Sequence, residues 1–388
     1  MKHKLRLGLL GLMSAFTLAA CADITQANRQ NTNTKNDANT KVVQSTTNQL
    51  SNNFYRALMT NGKYQVSQNR GATLSLNTGF NLKNFETGLI DLSRNVFPTN
   101  QYFFREGQII DADTTAKWIA RKSDKNPEGL NPADNGDTSP TGRAPLYLAQ
   151  ILEQDYMIQT ENNFELGGIS IGIAMNSVDY YTNGDRDAET EISKEVMIEQ
   201  AKTIVNQILT RLRQNDALKA VPIVFGVFRQ TSKDDIGGGV YVLEATSVEG
   251  TEITNWTNVN QKVTVLPLVN EAATEESTAF ENFKTEVQNF FPNLSGVTAR
   301  VKYQDNVAKK MVVDIMTQFY GESEIIALAQ HVTDAANKYL SKTTPVEVRI
   351  SSINGMEAFL MQDLTQGVFT YHTRQPARHR GRQHRGHG

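Results

Sequence analysis

The stretch GISIGIAM, residues 168–175, decides the fold because its large apolar residues alternate with small ones, as in a buried β-strand. A second stretch, 128 residues later, alternates in a similar way and also follows a glycine. The alternating residues are Ile169, Ile171, Ile173 and Met175 in the first stretch, and Val297, Ala299, Val301 and Tyr303 in the second. This recurrence predicts an internal duplication.

An amphipathic helix follows each strand at the same spacing. Its apolar positions are Ala201, Ile204, Val205, Ile208, Leu209 and Leu212 in the first copy, and Ala329, Val332, Ala336 and Leu340 in the second. Pro222 or Pro345 then opens a further strand, and residues 311–319 should form a hairpin with the first strand of the second copy. We therefore expect an α+β fold: an N-terminal α/β region followed by two related ββαβ-type units with mainly antiparallel sheets. A chance match of β-α-β order is the alternative.

The N-terminal region combines helix and strand patterns. Residues 84–97 carry apolar side chains at helical spacing, and residues 101–111 contain aromatic residues suited to a strand. The next stretch opens as a short helix and becomes a loop rich in Pro, Gly and Asn over 123–142. Another helix is expected around 146–157.

Composition divides the chain into six segments. The expected segments are a lipoprotein signal peptide (1–20), a flexible tether rich in Asn, Thr and Gln (21–50), an N-terminal α+β region (51–145), a first repeat unit with a β-rich extension (146–262), a second repeat unit (263–367) and a basic, disordered His/Arg-rich tail (368–388). The tether carries too few apolar residues to offset the entropy of ordering it.

The overall charge is nearly balanced, with 39 basic and 41 acidic residues and a net charge of −2. Eight basic residues lie in the leader and the tail, so the body alone carries −2 − 8 = −10. This acidic body argues against nucleic acid as a partner. The single cysteine excludes an intramolecular disulfide and any zinc or iron–sulfur site built from cysteines, and we expect no cofactor.

The leader places that cysteine in a specific context. Residues 1–21 read MKHKLRLGLLGLMSAFTLAAC, with basic residues first, then a short apolar run, then small residues, as in a secretory signal peptide. Leu18, Ala19, Ala20 and Cys21 fit the lipobox that signal peptidase II cleaves in bacteria. A thiol readily accepts a diacylglycerol as a thioether, so Cys21 is the expected site of lipid attachment, including palmitate, and the first mature residue. The alternative is an ordinary signal peptide with an accidental cysteine.

One motif suggests catalysis. GISIG matches the G-x-S-x-G pattern of hydrolases, in which the serine must lie on a sharp turn between a strand and a helix. Here Ser170 lies in mid-strand, and its repeat counterpart, Thr298, is a typical strand residue. Outside the leader and tail, His331 is the only histidine available as a base. We expect no catalytic residues; a surface hydrolase using Ser170 and His331 is the alternative.

Other motifs favour structural roles. The acidic run DRDAETE (185–191) lacks the spacing of a calcium-binding loop and is expected to be a solvated loop, so no metal site is expected. DDIGGG (234–239) is followed by no Gly-Lys-Ser/Thr and is expected to be a turn leading into a strand. Trp118 and Trp256 are expected to pack in the core, with ligand stacking as the alternative.

The basic tail differs sharply from the body, because it contains five arginines and four histidines from Val368 onward and no acidic residue. A disordered extension, or an artefact of the reading frame, is the simplest interpretation. The alternatives are weak metal binding through His379, His384 and His387, or attraction to phosphate-rich wall polymers. In the last case the chain would be a structural, wall-associated protein.

Several segments in the same order resemble the CamS family of sex-pheromone lipoprotein precursors from Gram-positive bacteria. These segments are FETGLIDLS (85–93), RKSDKNPEGLNP (121–132), ISIGIAMNSVDYY (169–181), TRLRQNDALKAVPIVFGVFRQ (210–230) and PVEVRISSINGMEAF (345–359). The resemblance covers about residues 50 to 367, and the tail has no counterpart in it.

The resemblance implies a lipoprotein anchored on the extracytoplasmic face of the cell membrane. In the family, the discarded signal peptide is trimmed to a short apolar peptide that induces conjugative mating in enterococci. By position, this segment would be Ser14, Ala15, Phe16, Thr17, Leu18, Ala19 and Ala20. The implied partners are the membrane, the lipoprotein-processing enzymes and a peptide receptor in recipient cells. The resemblance supplies no ligand for the ectodomain, which we expect to be a binding or interaction module.

Overall fold

The structure is a computed structural model that describes residues 42–69, 76–161, 163–290 and 294–373. The predicted lipobox and pheromone segment lie outside these ranges, as does the end of the tail from Arg374. Two main sheets form, each with helices packed on it, together with a small hairpin. The α+β class expected from the sequence is confirmed.

The first sheet has nine strands. They are β1 (Val43–Ser45), β2 (Arg56–Thr60), β3 (Lys63–Tyr64), β4 (Tyr102–Glu106), β5 (Leu148–Gln159), β6 (Phe164–Met175), β9 (Ile223–Arg229), β10 (Val240–Ser247) and β11 (Thr257–Asn258). Their order is β1-β2-β4-β5-β6-β9-β10-β11, with β3 beside β2. Strand β6 runs antiparallel to β5 and parallel to β9, so GISIGIAM forms part of the interior of the sheet.

Helices cover both faces of this sheet. They are α1 (Gly79–Ser93), α2 (Ala112–Ile119) and α3 (Lys194–Leu212). The isoleucines of β6 share a core with the apolar face of α3, whereas Phe85 of α1 packs with Ala174, Phe228 and Tyr241 on the other side. A Cβ added at Gly172 would lie only 2.8 Å from the ring of Phe85. The small residues of GISIGIAM therefore let α1 approach the sheet closely.

The second sheet has six strands in the order β12-β13-β14-β15-β16-β17. They are β12 (Gln261–Leu266), β13 (Leu294–Gln304), β14 (Val307–Thr317), β15 (Val346–Ser352), β16 (Gly355–Asp363) and β17 (Val368–Thr373). Helices α4 (Glu275–Phe290) and α5 (Glu322–Tyr339) cover one face, where Phe280, Phe283 and Leu328 join the core. The other face carries alternating polar residues and meets α1, as described below.

The two predicted repeat units share one topology. In each, an antiparallel hairpin is followed by a helix and by a strand that pairs in parallel with the second hairpin strand. Ile169 of β6 lies beside Ile223, and Met311 of β14 lies beside Val346. The counterpart of β6 is therefore β14, and the match of Ile169 with Val297 in β13 was wrong. Alternation with period 2 fits any half-buried strand, so it does not identify the pairing partner.

Two local predictions were also wrong. The helix expected around 146–157 is strand β5, whose buried polar residues Glu153 and Asp155 interrupt the alternation and imitate helical spacing. The acidic run 185–191 is not a loop, because β8 (Arg186–Glu191) pairs with β7 (Val178–Asn183) as an exposed hairpin.

Ordered structure extends past two predicted boundaries. Strand β1 lies within the expected tether of residues 21–50 and pairs with β2. Strand β17 occupies the first six residues of the expected tail, 368–373, and pairs with β16. Both are edge strands, and each combines backbone pairing to a neighbour with an apolar side chain packed on a core, Val43 in β1 and Phe369 in β17.

Candidate functional site

The structure separates the two residues of the hydrolase alternative. Ser170 is fully buried in β6, and its hydroxyl donates to the phenol oxygen of Tyr156 at 3.4 Å. His331 lies on α5 over the other sheet, where its Nε2 contacts the carbonyl oxygen of Glu286 at 3.1 Å and its ring stacks on Phe290. These contacts hold both residues in structural roles and do not bring them together.

The tryptophans lie at the edge of the first core. Trp118 is buried, its indole donates to Glu128 at 3.3 Å, and the guanidinium of Arg211 lies over its ring. Trp256 is partly buried against the same core. The expected packing role is confirmed for both.

The glycine-rich run DDIGGG forms a turn that binds to α1. Asp235 accepts hydrogen bonds from the backbone N–H groups of Gly237 and Gly238, at 2.7 and 2.9 Å. The amide of Asn84 donates to the carbonyl oxygens of Gly237 and Gly239. Gly237 also lies against Val265 of β12, so the turn connects α1 with the second sheet. The prediction of a turn before a strand is confirmed.

The most distinctive polar surface lies beside this turn, where α1 meets the uncovered face of the second sheet. We call it the junction face. It consists of Phe80, Lys83 and Asp91 of α1, Arg300 and Lys302 of β13, Lys310 and Asp314 of β14, and Glu347 and Arg349 of β15. Residues two apart on a strand share a face, which explains why these charges converge.

Two contacts connect α1 to the sheet across this face. The guanidinium of Arg300 stacks 4.1 Å from the ring centroid of Phe80 and donates to Asp314 at 2.7 Å. The ammonium of Lys302 lies 3.4 Å from a carboxylate oxygen of Asp91. The side chain of Arg300 is held more firmly than that of Lys302, because stacking on Phe80 and the hydrogen bond to Asp314 both restrain it.

Glu347 lies between two cations. Its carboxylate accepts from Nε of Arg349 at 2.7 Å and lies 3.4 Å from Nζ of Lys310. Burial by itself would raise the pKa of Glu347, but the hydrogen bond and charge of Arg349, together with Lys310, lower it below its usual value. The carboxylate is thus held in its charged form and partly neutralises both cations.

Lys83 differs from the other cations of the junction face. Among the residues that the structure describes, no carboxylate lies within ion-pair distance of its ammonium group. Partial burial lowers its pKa, and the charges of Arg349, Lys310 and Arg300 lower it further, against the opposing effect of Glu347. A positive charge in this position lacks compensation and favours a bound anion.

The sequence alone does not reveal this site, because each of its residues looks like an ordinary exposed strand or helix residue. A usable signal was present: Arg300 and Lys302, and Glu347 and Arg349, occupy alternate positions on strands whose other residues are apolar. Without the strand order, however, nothing indicated that these positions share one surface with Lys83.

Within residues 42–69, 76–161, 163–290 and 294–373, no three His, Cys, Asp or Glu side chains lie close enough to hold a metal ion. None of the described helices has the length and apolar character needed to span a membrane.

Comparison with known proteins identifies relatives. The family model described as the CamS sex pheromone cAM373 precursor matches residues 64–367. No curated protein matches the chain in sequence.

Two solved structures match over most of this chain. A sex pheromone precursor from Lactobacillus salivarius subsp. salivarius UCC118 is 38% identical, with a TM-score of 0.82; the match covers 87% of this chain and 100% of the relative. The C-terminal domain of the sex pheromone staph-cAM373 precursor from Staphylococcus aureus is 31% identical, with a TM-score of 0.63; that match covers 78% of this chain and 98% of the relative.

Proposed function

Because the chain belongs to the CamS family of sex pheromone precursors, we propose that it is an extracytoplasmic lipoprotein held on the cell membrane by lipid attached to Cys21. The observation that carries this proposal is the order of its parts. A leader ending in Leu18-Ala19-Ala20-Cys21 precedes the region that matches the family, 64–367. The leader supplies the export signal and the thiol, and the matched region supplies the body to be displayed.

The proposed processing follows from the chemistry of the motif. The thiol of Cys21 displaces the phosphate headgroup of a phospholipid, so that a C–S bond to the diacylglyceryl group forms as the C–O bond to phosphate breaks and the headgroup leaves with the thiol proton. The small residues before Cys21 give signal peptidase II access to the Ala20–Cys21 bond, which water then hydrolyses. Each buried CH₂ group of an acyl chain contributes about 0.8 kcal/mol, so two chains hold a protein stably on a membrane. The partners at this stage are the membrane and the processing enzymes.

The discarded leader is the proposed source of a signalling peptide. Trimming of the leader would release the seven residues Ser14–Ala20, SAFTLAA, to be read by a receptor in recipient cells and to induce conjugation. Ser14 and Thr17 make this peptide more polar than a purely aliphatic one, so its activity has to be tested separately from its release.

The body is proposed to be a binding or interaction module, and the junction face supports this role. Its cations are partly exposed. The ion pair of Lys302 with Asp91 connects the sheet to α1, and the ion pair of Arg300 with Asp314 restrains the sheet residues. Lys83 has no carboxylate partner among the described residues. Strand and helix backbones hold the charges in place, which favours recognition of a charged partner.

Mass spectrometry of a producing strain tests the processing. We expect a mature chain that begins at lipid-modified Cys21, and the peptide Ser14–Ala20 in the culture supernatant. The variant Cys21→Ser serves as the control and should lose both the lipid and membrane retention. An unmodified Cys21 in the wild-type protein would overturn the anchor; a lipidated Cys21 without the peptide would overturn only the pheromone role.

A further inference from the structure

We propose that the junction face binds a phosphate group through Lys83 of α1 and the strand cations Arg300, Lys310 and Arg349. This inference rests on the proposed role of the body as a binding module and names the class of ligand. It does not depend on lipidation of Cys21. Its failure and the failure of the anchor are therefore measured separately.

The charge balance of the face favours a doubly charged anion. Five cations are present, namely Lys83, Arg300, Lys302, Lys310 and Arg349, against the carboxylates of Asp91, Asp314 and Glu347. Asp314 neutralises Arg300, whereas Asp91 is shared by Lys302 and by Arg94 of α1. Glu347 is shared by Arg349 and Lys310, so it offsets only one of them. Lys83 has no ion-pair partner among the described residues, so at least two positive charges of the face are left without a counter-charge.

The neighbouring cations are held by contacts that leave donors free. Arg349 uses its Nε to bind Glu347, and its two terminal NH₂ groups make none of the hydrogen bonds or ion pairs described for this face. Arg300 binds Asp314 through one terminal nitrogen while Phe80 supports its plane. An arginine fork beside a lysine point charge is the combination that proteins use for phosphate oxygens.

A phosphate group matches this arrangement better than a single carboxylate. A phosphate monoester carries up to two negative charges near neutral pH and presents three oxygens in a tetrahedral array. Three oxygens can accept from more than one cation of the face, whereas one carboxylate carries a single charge and would leave a cation unneutralised. The positive charges that lower the pKa of Lys83 would be relieved by the same anion.

The site is open enough for the phosphate to be part of a larger molecule. Side chains of Lys310 and Lys302 are 52% and 31% exposed, and Arg349 is 22% exposed. A soluble phosphate ester and a phospholipid headgroup present the same group, and the experiment has to distinguish them.

Isothermal titration of the full chain carrying Cys21→Ser, with inorganic phosphate and with glycerol 1-phosphate, tests the site in solution. Flotation with vesicles of 30% phosphatidylglycerol in phosphatidylcholine tests the headgroup. We expect Lys83→Ala to weaken binding about tenfold or more, which corresponds to about 1.4 kcal/mol. Lys83→Arg, which keeps the positive charge, should retain most of the wild-type affinity.

Lys125→Ala is the matched control, because it removes the same charge from an exposed loop outside the junction face. Binding of any of the three probes that depends on Lys83 and not on Lys125 supports the proposal. If Lys83 matters for the soluble probes but not for vesicles, the natural ligand is a soluble phosphate ester. If Lys83 matters for vesicle binding, the ligand is a phospholipid headgroup. Equal losses in both variants, or no binding of any probe by the wild-type chain, would overturn it.

Discussion

Glu153 and Asp155 lie two residues apart on β5, so both carboxyl groups are buried on the same face of the strand with one cation, Arg105, as their counter-charge. Glu153 accepts hydrogen bonds from the backbone N–H groups of Gln108, Ile109 and Ile110, at 2.6 to 3.2 Å. Asp155 binds Arg105 at 2.6 Å. The pair fastens the loop after β4 to the centre of the sheet.

This pair makes stability depend on pH. Burial raises the pKa of Glu153 well above its usual value, and the charge of Asp155 raises it further. The folded protein therefore keeps a proton that the unfolded chain releases above about pH 4.5. The resulting stability is fully present below that pH and is lost as pH rises toward the folded pKa.

We expect Glu153→Gln to flatten this dependence, because the amide cannot ionise, although its single oxygen keeps only part of the hydrogen bonds from the loop. Urea unfolding of the wild type between pH 5 and pH 8 should show a loss of up to about 1.4 kcal/mol per pH unit over part of the range. Glu165→Gln, at an exposed position on β6, should keep the wild-type slope. An unchanged slope in Glu153→Gln would contradict the assignment.

Gly172 is expected to tolerate no side chain. The added methyl of Gly172→Ala would meet the ring of Phe85 at 2.8 Å and the phenol oxygen of Tyr241 at 3.1 Å. Since both neighbours are fully buried, the variant should lose about 1–3 kcal/mol of unfolding free energy through overpacking. Gly296→Ala, where nothing lies within 4 Å, is the control in thermal or urea unfolding. Equal effects in the two variants would show that α1 does not pack as described.

Arg213, at the end of α3, is expected to hold the following loops in place. Its buried guanidinium donates to the carbonyl oxygens of Leu218, Val221, Ser247 and Gly250. Arg213→Ala leaves these acceptors without their charged donor, so we expect a loss of about 2–4 kcal/mol in urea unfolding. The unfolding free energy of Arg213→Lys should lie between those of the wild type and Arg213→Ala, because one ammonium group cannot reach all four carbonyl oxygens. Arg186→Ala, on the exposed strand β8, should be close to neutral; a near-neutral Arg213→Ala would refute the role.

Asn81 is expected to control the glycine-rich turn beside the junction face. Its side-chain oxygen accepts from the backbone N–H groups of Thr231 and Gly239, at 3.0 and 2.7 Å. Asn81→Ala removes this acceptor, so amide hydrogen exchange over 231–239 should become faster. Asn95→Ala, at an exposed position just after α1, should leave the exchange unchanged. Exchange that is equally slow in both variants would show that other contacts fix the turn.

Much of the fold was predictable because its signals are local. Phe85 and Leu89 recur at helical spacing, and the isoleucines of β6 alternate, so both elements were identified from neighbouring residues. Strand β5 was not, because Glu153 and Asp155 are buried polar residues whose partners, Arg105 and the loop at 108–110, lie more than 40 positions earlier in the chain. A pattern of apolar residues cannot reveal that a carboxylate has a buried partner.

The junction face could not be predicted for a related reason. It unites Lys83 of the first helix with Arg300 and Arg349, more than 200 positions later, through the packing of α1 on the second sheet. The leader is the opposite case. Its motif is contiguous, so lipid attachment at Cys21 is predicted from four adjacent residues, which lie outside the described ranges.

The short edge strand β1 has a mechanical consequence. It pairs with β2 through three residue pairs, and the proposed lipid anchor lies on its N-terminal side. When the body is pulled away from the membrane, the first described contact to carry the force is the pair of hydrogen bonds between Val42 and Asn61, followed by the pairs of β1 with β2. Strand β1 would separate from β2 under modest tension while β5, β6 and β9 stay paired. Detachment of this edge strand would thus limit the force that reaches the core.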